Sequence, residues 1–138
     1  MLGFKELETL AKLRKSEVIA YFTSDKNSGN PAKPDLFLAQ IADDAIPLFS
    51  KQLKTIGKVP KISLFLYSAG GFLTTPWPIA NLLREYCDEL EVIVPFRALS
   101  AATLLALSAD KIVMTPLSQL GPIDPTGNFI LGDKNLQV

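Results

Sequence analysis

Histidine is absent from the 138 residues. A Ser-His-Asp relay within the chain is thereby excluded, and so is every histidine metal ligand. Cysteine occurs once, as Cys87. A single thiol forms neither an internal disulfide nor a zinc cluster, so no metal and no cofactor are expected. An excess of charge is also missing, since 14 basic residues balance 14 acidic ones. Without basic character, nucleic acid is not an expected partner. No apolar run approaches the roughly 20 residues of a membrane span, so no transmembrane segment is expected. Residues 1–14 mix acidic and basic side chains among apolar ones, unlike a secretory signal. The chain reads as a soluble protein of a reducing compartment, the cytoplasm. Phosphate-binding signatures are lacking too: neither the P-loop nor the G-x-G-x-x-G fingerprint occurs.

What is present suffices for one core. Apolar residues make up 48% of the chain, and the length suits a single domain over residues 1–138. Phe4, Leu7, Leu10, Ala11 and Leu13 recur at helical spacing, and Glu17 to Thr23 reads as a strand. Asp25 to Lys33 is a polar loop. Asp35 is placed to cap a helix whose apolar stripe runs from Leu38 through Ile41, Ala45, Phe49 and Leu53 to Ile56. Pro47 is expected to kink or divide it, and Gly57 to end it. Lys61 to Tyr67 is apolar nearly throughout, as in a strand covered on both faces.

Thr75 followed by Pro76 marks the next helix start. Its buried face is Ile79, Leu82, Leu83, Tyr86 and Cys87. Glu91 to Pro95 reads as the third strand, Ser100 to Ala109 as a helix of small residues buried all round, and Lys111 to Met114 as the fourth strand. Leu117 to Pro125 is rich in turn residues, and Phe129 to Leu131 is a short last strand. Strands alternating with helices imply an α/β fold with a mainly parallel sheet and right-handed crossovers.

In such sheets, ligands gather at the carboxyl ends of strands. Two sequence features lie there. Ser68-Ala69-Gly70-Gly71 follows the second strand, and Ala98-Leu99-Ser100-Ala101-Ala102-Thr103 follows the third. Gly70 and Gly71 allow close backbone approach, and their N–H groups can face a developing negative oxygen; equally, they can serve only a tight turn. Ser100 can be a nucleophile or simply an N-cap. The N–H of Ala101 can join the glycine amides. Ser68 reads as shaping its turn and Thr103 as packing. Lys111 opens its strand at the far end of the helix that Ser100 begins, a poor place for a base. Asp124 faces the site region or serves an Asp-Pro turn. Arg97 can bind a carboxylate, shape an oligomer contact or be surface charge. The G-x-S-x-G elbow of α/β-hydrolases is not matched by Ala98-Leu99-Ser100-Ala101-Ala102.

The ordered succession of these motifs, continued by Ala109-Asp110-Lys111-Ile112-Val113-Met114 and Leu120-Gly121-Pro122-Ile123-Asp124-Pro125, resembles the serine dehydrogenase proteinase family. That family is related to signal peptide peptidase A within the Clp protease/crotonase superfamily. The resemblance runs from about Glu17 to Pro125. It implies a ClpP-like spiral of βα units, homo-oligomers, a peptide or protein substrate, Ser100 as nucleophile, and Gly70, Gly71 and Ala101 as oxyanion donors. Ser68, Asp124 and Lys134 stand as accessory candidates. In the signal-peptide-peptidase relatives a Lys acts as base. Here the helices usual in relatives, and in some the base Lys, are expected to fall beyond Val138. Ala102 stands where relatives often have Gly.

Three functions are consistent with this reading. One is a serine peptidase. Another is a non-catalytic Clp-like module that assembles or binds peptides. The third is a crotonase-like acyl-CoA enzyme, which needs an acid/base carboxylate that the core motifs do not supply.

Overall fold

A computed structural model describes residues 3–23 and 40–123, together with the backbone of 128–131 and 134–137. Helix α1 (Phe4–Arg14) leads into strand β1 (Glu17–Phe22), followed by α2 (Ala45–Ile56) and β2 (Val59–Tyr67). Next come α3 (Pro76–Glu85), β3 (Cys87–Val94), the two-residue β4 (Arg97–Ala98), α4 (Ala101–Leu107) and β5 (Lys111–Met114). The short β6 (Gln119–Leu120) and the antiparallel pair β7 (Asn128–Leu131) and β8 (Lys134–Gln137) complete the described elements.

The main sheet has four parallel strands in the order β1-β2-β3-β5. Each strand lies beside its predecessor. With right-handed crossovers this order places the connecting helices on one face. Accordingly α2 packs on α3, and α3 on α4. Strand alternation supplies the other layer of the core: Ile62, Leu64 and Leu66 from β2 and Leu90, Val92 and Val94 from β3 are fully buried. Phe49 and Leu53 of α2, Ile79 and Leu83 of α3 and Leu105 of α4 close over them. Each such side chain contributes about 1.5–3 kcal/mol of burial free energy.

Pro47 neither kinks nor divides a helix. It is the third residue of α2, in the first turn, where a backbone N–H has no intrahelical acceptor to lose. The expected cap Asp35 and stripe residue Leu38 lie outside the described residues. Cys87 opens β3 instead of closing α3. It is buried, and burial pushes its thiol pKa up. Helix α4 is shorter than expected and exposes Leu107.

The opposite face of the sheet carries α1 and an inset of charge. Glu91 is fully buried in β3, although charge normally marks the surface. Its carboxylate pairs with Arg14 and Lys61 and accepts the Ser63 hydroxyl at 2.9 Å. The Arg14 guanidinium, with Ser63 and Lys61 assisting against desolvation, holds the Glu91 carboxyl down to about 2.

Candidate active site

The two strand-end turns are joined to each other by backbone hydrogen bonds. The Ser68 N–H donates to the Arg97 carbonyl at 3.1 Å, and the Leu99 N–H donates to the Ser68 carbonyl at 3.0 Å. Ser68 thus bridges Ala98 in parallel. On its other edge β4 pairs with β6, Ala98 opposite Leu120. The strand that delivers Ser100 is therefore held on both sides.

Ser68 shapes its turn, as expected. Fully buried, its Oγ accepts the Thr23 hydroxyl at 2.7 Å and the Gly70 N–H at 3.0 Å. Gly70 has φ 114°, and a Cβ there would stand 2.8 Å from Ser100 Cβ and 2.9 Å from the Leu99 carbonyl oxygen. Glycine at this position brings the two turns into contact. Gly71 is needed for a different neighbour: its Cβ would lie 2.1 Å from the Ile41 carbonyl oxygen. Ile41 bridges Gly71, donating its N–H to the Gly70 carbonyl and accepting the Phe72 N–H, both at 2.8 Å.

Ser100 stands at the N-cap position of α4 with φ 51° and ψ −120°. Its side chain makes no capping bond. These angles belong to the first central residue of a type II′ turn, a place that favours glycine. The turn closes where the Ala102 N–H donates to the Leu99 carbonyl at 3.0 Å. A strained serine between a strand and a helix start is the geometry of a nucleophile elbow, reached here without the G-x-S-x-G sequence. The hydroxyl has no hydrogen-bond partner among the described residues.

Two nearby backbone donors are unused. Among the described residues, the N–H groups of Gly71 and Ala101 have no acceptor. The Gly70 N–H differs from expectation, because Ser68 Oγ already occupies it. Thr103, expected only to pack, is buried and bonded at its hydroxyl to Ala98 and Gly121. The Arg97 guanidinium lies over the rings of Tyr67 and Phe96, 5.8 and 5.9 Å from their centroids. Lys111 begins β5 opposite Glu91, at the far end of α4. Asp124 lies outside the described residues, and Lys134 opens β8, of which only the backbone is described. The supports Thr23 and Ile41 carried no sequence signal of their role, since each acts through a contact distant along the chain.

Among known proteins, the family model of the ClpP-like SDH-type serine proteinases matches residues 4–131. An uncharacterized Methanocaldococcus jannaschii protein, MJ0137, is 35% identical over 124 residues, which cover 88% of this chain and 42% of that protein. A second from the same organism, MJ1495, is 38% identical over 64 residues, covering 46% of this chain and 22% of the relative. The chain thus spans less than half the length of these relatives. Of solved structures, a serine-to-alanine mutant of the 1510-N membrane-bound stomatin-specific protease superposes with TM-score 0.61 at 15% identity, over 89% of this chain and 54% of that one. A mutant of ClpP1 from Listeria monocytogenes superposes with TM-score 0.55 at 19% identity, over 80% and 58% of the two chains. These two share the fold. The chain belongs to the ClpP-like SDH-type serine proteinases. No helix among the described residues is long and apolar enough to cross a membrane.

Proposed function

From that membership we propose that this protein is a serine peptidase in which Ser100 is the nucleophile and the Gly71 and Ala101 amides receive the oxyanion. The observation that carries the reading is the Ser100 elbow, with φ 51°, seated directly against the Gly70-Gly71 turn. The Ser100 oxygen adds to the scissile carbonyl carbon, and the carbonyl oxygen takes up negative charge as the tetrahedral intermediate forms. Two fixed N–H donors stabilise that charge. Each such donor lowers the barrier by about 3–4 kcal/mol. Collapse breaks the C–N bond, the amine leaves with a proton, and water then hydrolyses the acyl-enzyme. The Ser100 proton passes to a base supplied by this chain or by a neighbouring copy. Lys134 and Asp124 are the candidates in this chain. We also propose, from the family resemblance, that copies of the chain assemble.

A fluorophosphonate or β-lactone probe should label wild-type protein at Ser100 and leave Ser100→Ala unlabelled. The pH profile of labelling reads the pKa of the base. Folded wild-type protein that the probe does not label would refute the reading.

The unpartnered Ser100 hydroxyl favours one competing reading, a non-catalytic module that binds peptides in the same cleft. In that case Ser100→Ala retains peptide binding and the wild type cleaves nothing.

A further inference from the structure

The Ser100 elbow is gripped a second time, from the side away from the Gly70 turn. Strand β6 runs parallel to β4, and the Gln119 N–H donates to the Phe96 carbonyl at 2.7 Å. Along a parallel ladder the next rung on that edge would join the Gly121 N–H to the Ala98 carbonyl. The Thr103 hydroxyl stands in that rung. It donates to the Ala98 carbonyl at 2.7 Å and accepts the Gly121 N–H at 3.1 Å. The Thr103 backbone N–H meanwhile donates to the Ser100 carbonyl at 2.9 Å. One residue thus holds the chain on both sides of the elbow, at Ala98 and at Ser100.

Gly121 completes the grip. A Cβ at Gly121 would stand 2.7 Å from Leu99 Cδ2 and 3.2 Å from Leu99 Cα. On the other side, a Cβ at Gly70 would meet the Leu99 carbonyl oxygen at 2.9 Å. The Leu99-Ser100 peptide is therefore confined between two glycines. An unfavourable backbone conformation persists only where its surroundings over-determine it.

We infer that Thr103 is a positioning residue, its hydroxyl inserted into the β4–β6 ladder to hold Ser100 in the elbow conformation and to aim the Ala101 amide. As a claim about rate, this rests on the peptidase reading above; as a claim about the backbone at Ser100, it does not. Thr103→Val keeps the β-branched shape and the backbone bond but removes the hydroxyl, leaving the Ala98 carbonyl and the Gly121 N–H unpaired. Thr103→Ser keeps the hydroxyl.

The experiment is fluorophosphonate labelling of the full chain at saturating probe, with thermal melting alongside. Thr103→Val should label at least about tenfold more slowly, the scale of a small misplacement at a reacting group. Thr103→Ser should label close to the wild-type rate. A role in stability alone would lower the melting temperature of Thr103→Val and leave the labelling rate of folded protein unchanged, which overturns the inference. So does a Thr103→Ser variant as slow as Thr103→Val.

If wild type itself is not labelled, the peptidase reading falls, and hydrogen exchange with a crystal structure of Thr103→Val decides the positioning claim. Faster exchange at Gly121 with φ of Ser100 relaxed from positive values supports it. An unchanged elbow overturns it. Should Thr103→Val fail to fold, Thr103→Ala removes the same hydroxyl without adding a methyl in its place and should slow labelling; wild-type labelling by folded Thr103→Ala overturns the inference.

Discussion

Replacing Ser100 by glycine should stabilise the protein while abolishing its reaction with a serine probe. Ser100 holds φ 51° and ψ −120°, and a non-glycine residue in a sparsely populated region of this kind costs on the order of 1–3 kcal/mol. Glycine removes that cost. It adds freedom to the unfolded chain, which opposes the gain by roughly 0.5–1 kcal/mol. Nothing else is lost at the hydroxyl, which makes no capping bond. The net gain is on the order of 1 kcal/mol, within a range of roughly 0–2.5, a rise in Tm of about 3–4 °C at the central figure for a chain of this size.

Ser100→Ala is the control. It keeps the Cβ and the strain, so its stability should stay within about 0.5 kcal/mol of wild type. Urea unfolding followed by circular dichroism measures both variants, with probe labelling on the same samples. Ser100→Gly no more stable than Ser100→Ala would refute the claim that Ser100 stores strain. A trade of stability for reactivity at this one residue is the signature expected of a functional site.

Two further outcomes test other parts of the structure. Gly71→Ala should destabilise the protein by about 1–3 kcal/mol or more and suppress labelling, because its Cβ would stand 2.1 Å from the Ile41 carbonyl oxygen; Gly57→Ala, with open space around it, should cost about 1–3 kcal/mol through its backbone angles alone and leave labelling unchanged. Glu91 titrates at about 2 in the folded protein against an ordinary 4.5. Its contribution is therefore fully present above the unfolded value and is lost as the pH falls through the folded one. That contribution is about 3 kcal/mol, so urea midpoints measured between pH 6 and pH 2 should fall more steeply for wild type than for Glu91→Gln. Parallel slopes would contradict the buried pairing of Glu91 with Arg14 and Lys61.

Much of the fold was legible because its elements are long enough to show a period. The apolar run of β2 and the stripe Ala45, Phe49, Leu53 of α2 each repeat their pattern over several residues. Boundaries failed where tertiary contacts override local pattern. Cys87 to Glu91 looks too charged for a central strand, yet Glu91 is buried because Arg14 arrives from α1 and Lys61 from β2. Pro47 reads as an interruption only because the apolar stripe continues upstream of the helix start at Ala45. Strands β4 and β6 have two residues each, too few for any periodicity, and they are defined wholly by pairing with each other.

The sequence alone determined the alternation of strands and helices, the parallel sheet this implies, and the placement of a glycine pair and a serine at neighbouring strand ends. These follow from side-chain periodicity and turn chemistry, which are local properties. Tertiary structure decided the rest of the site. Which amides are free depends on Ser68 Oγ taking the Gly70 N–H while those of Gly71 and Ala101 find no acceptor among the described residues. The positive φ of Ser100 and the hydroxyl of Thr103 between Ala98 and Gly121 likewise depend on segments some 20 to 30 residues apart meeting within van der Waals distance. A backbone N–H is a donor at every position but proline; only the folded chain selects the ones left over to meet a substrate.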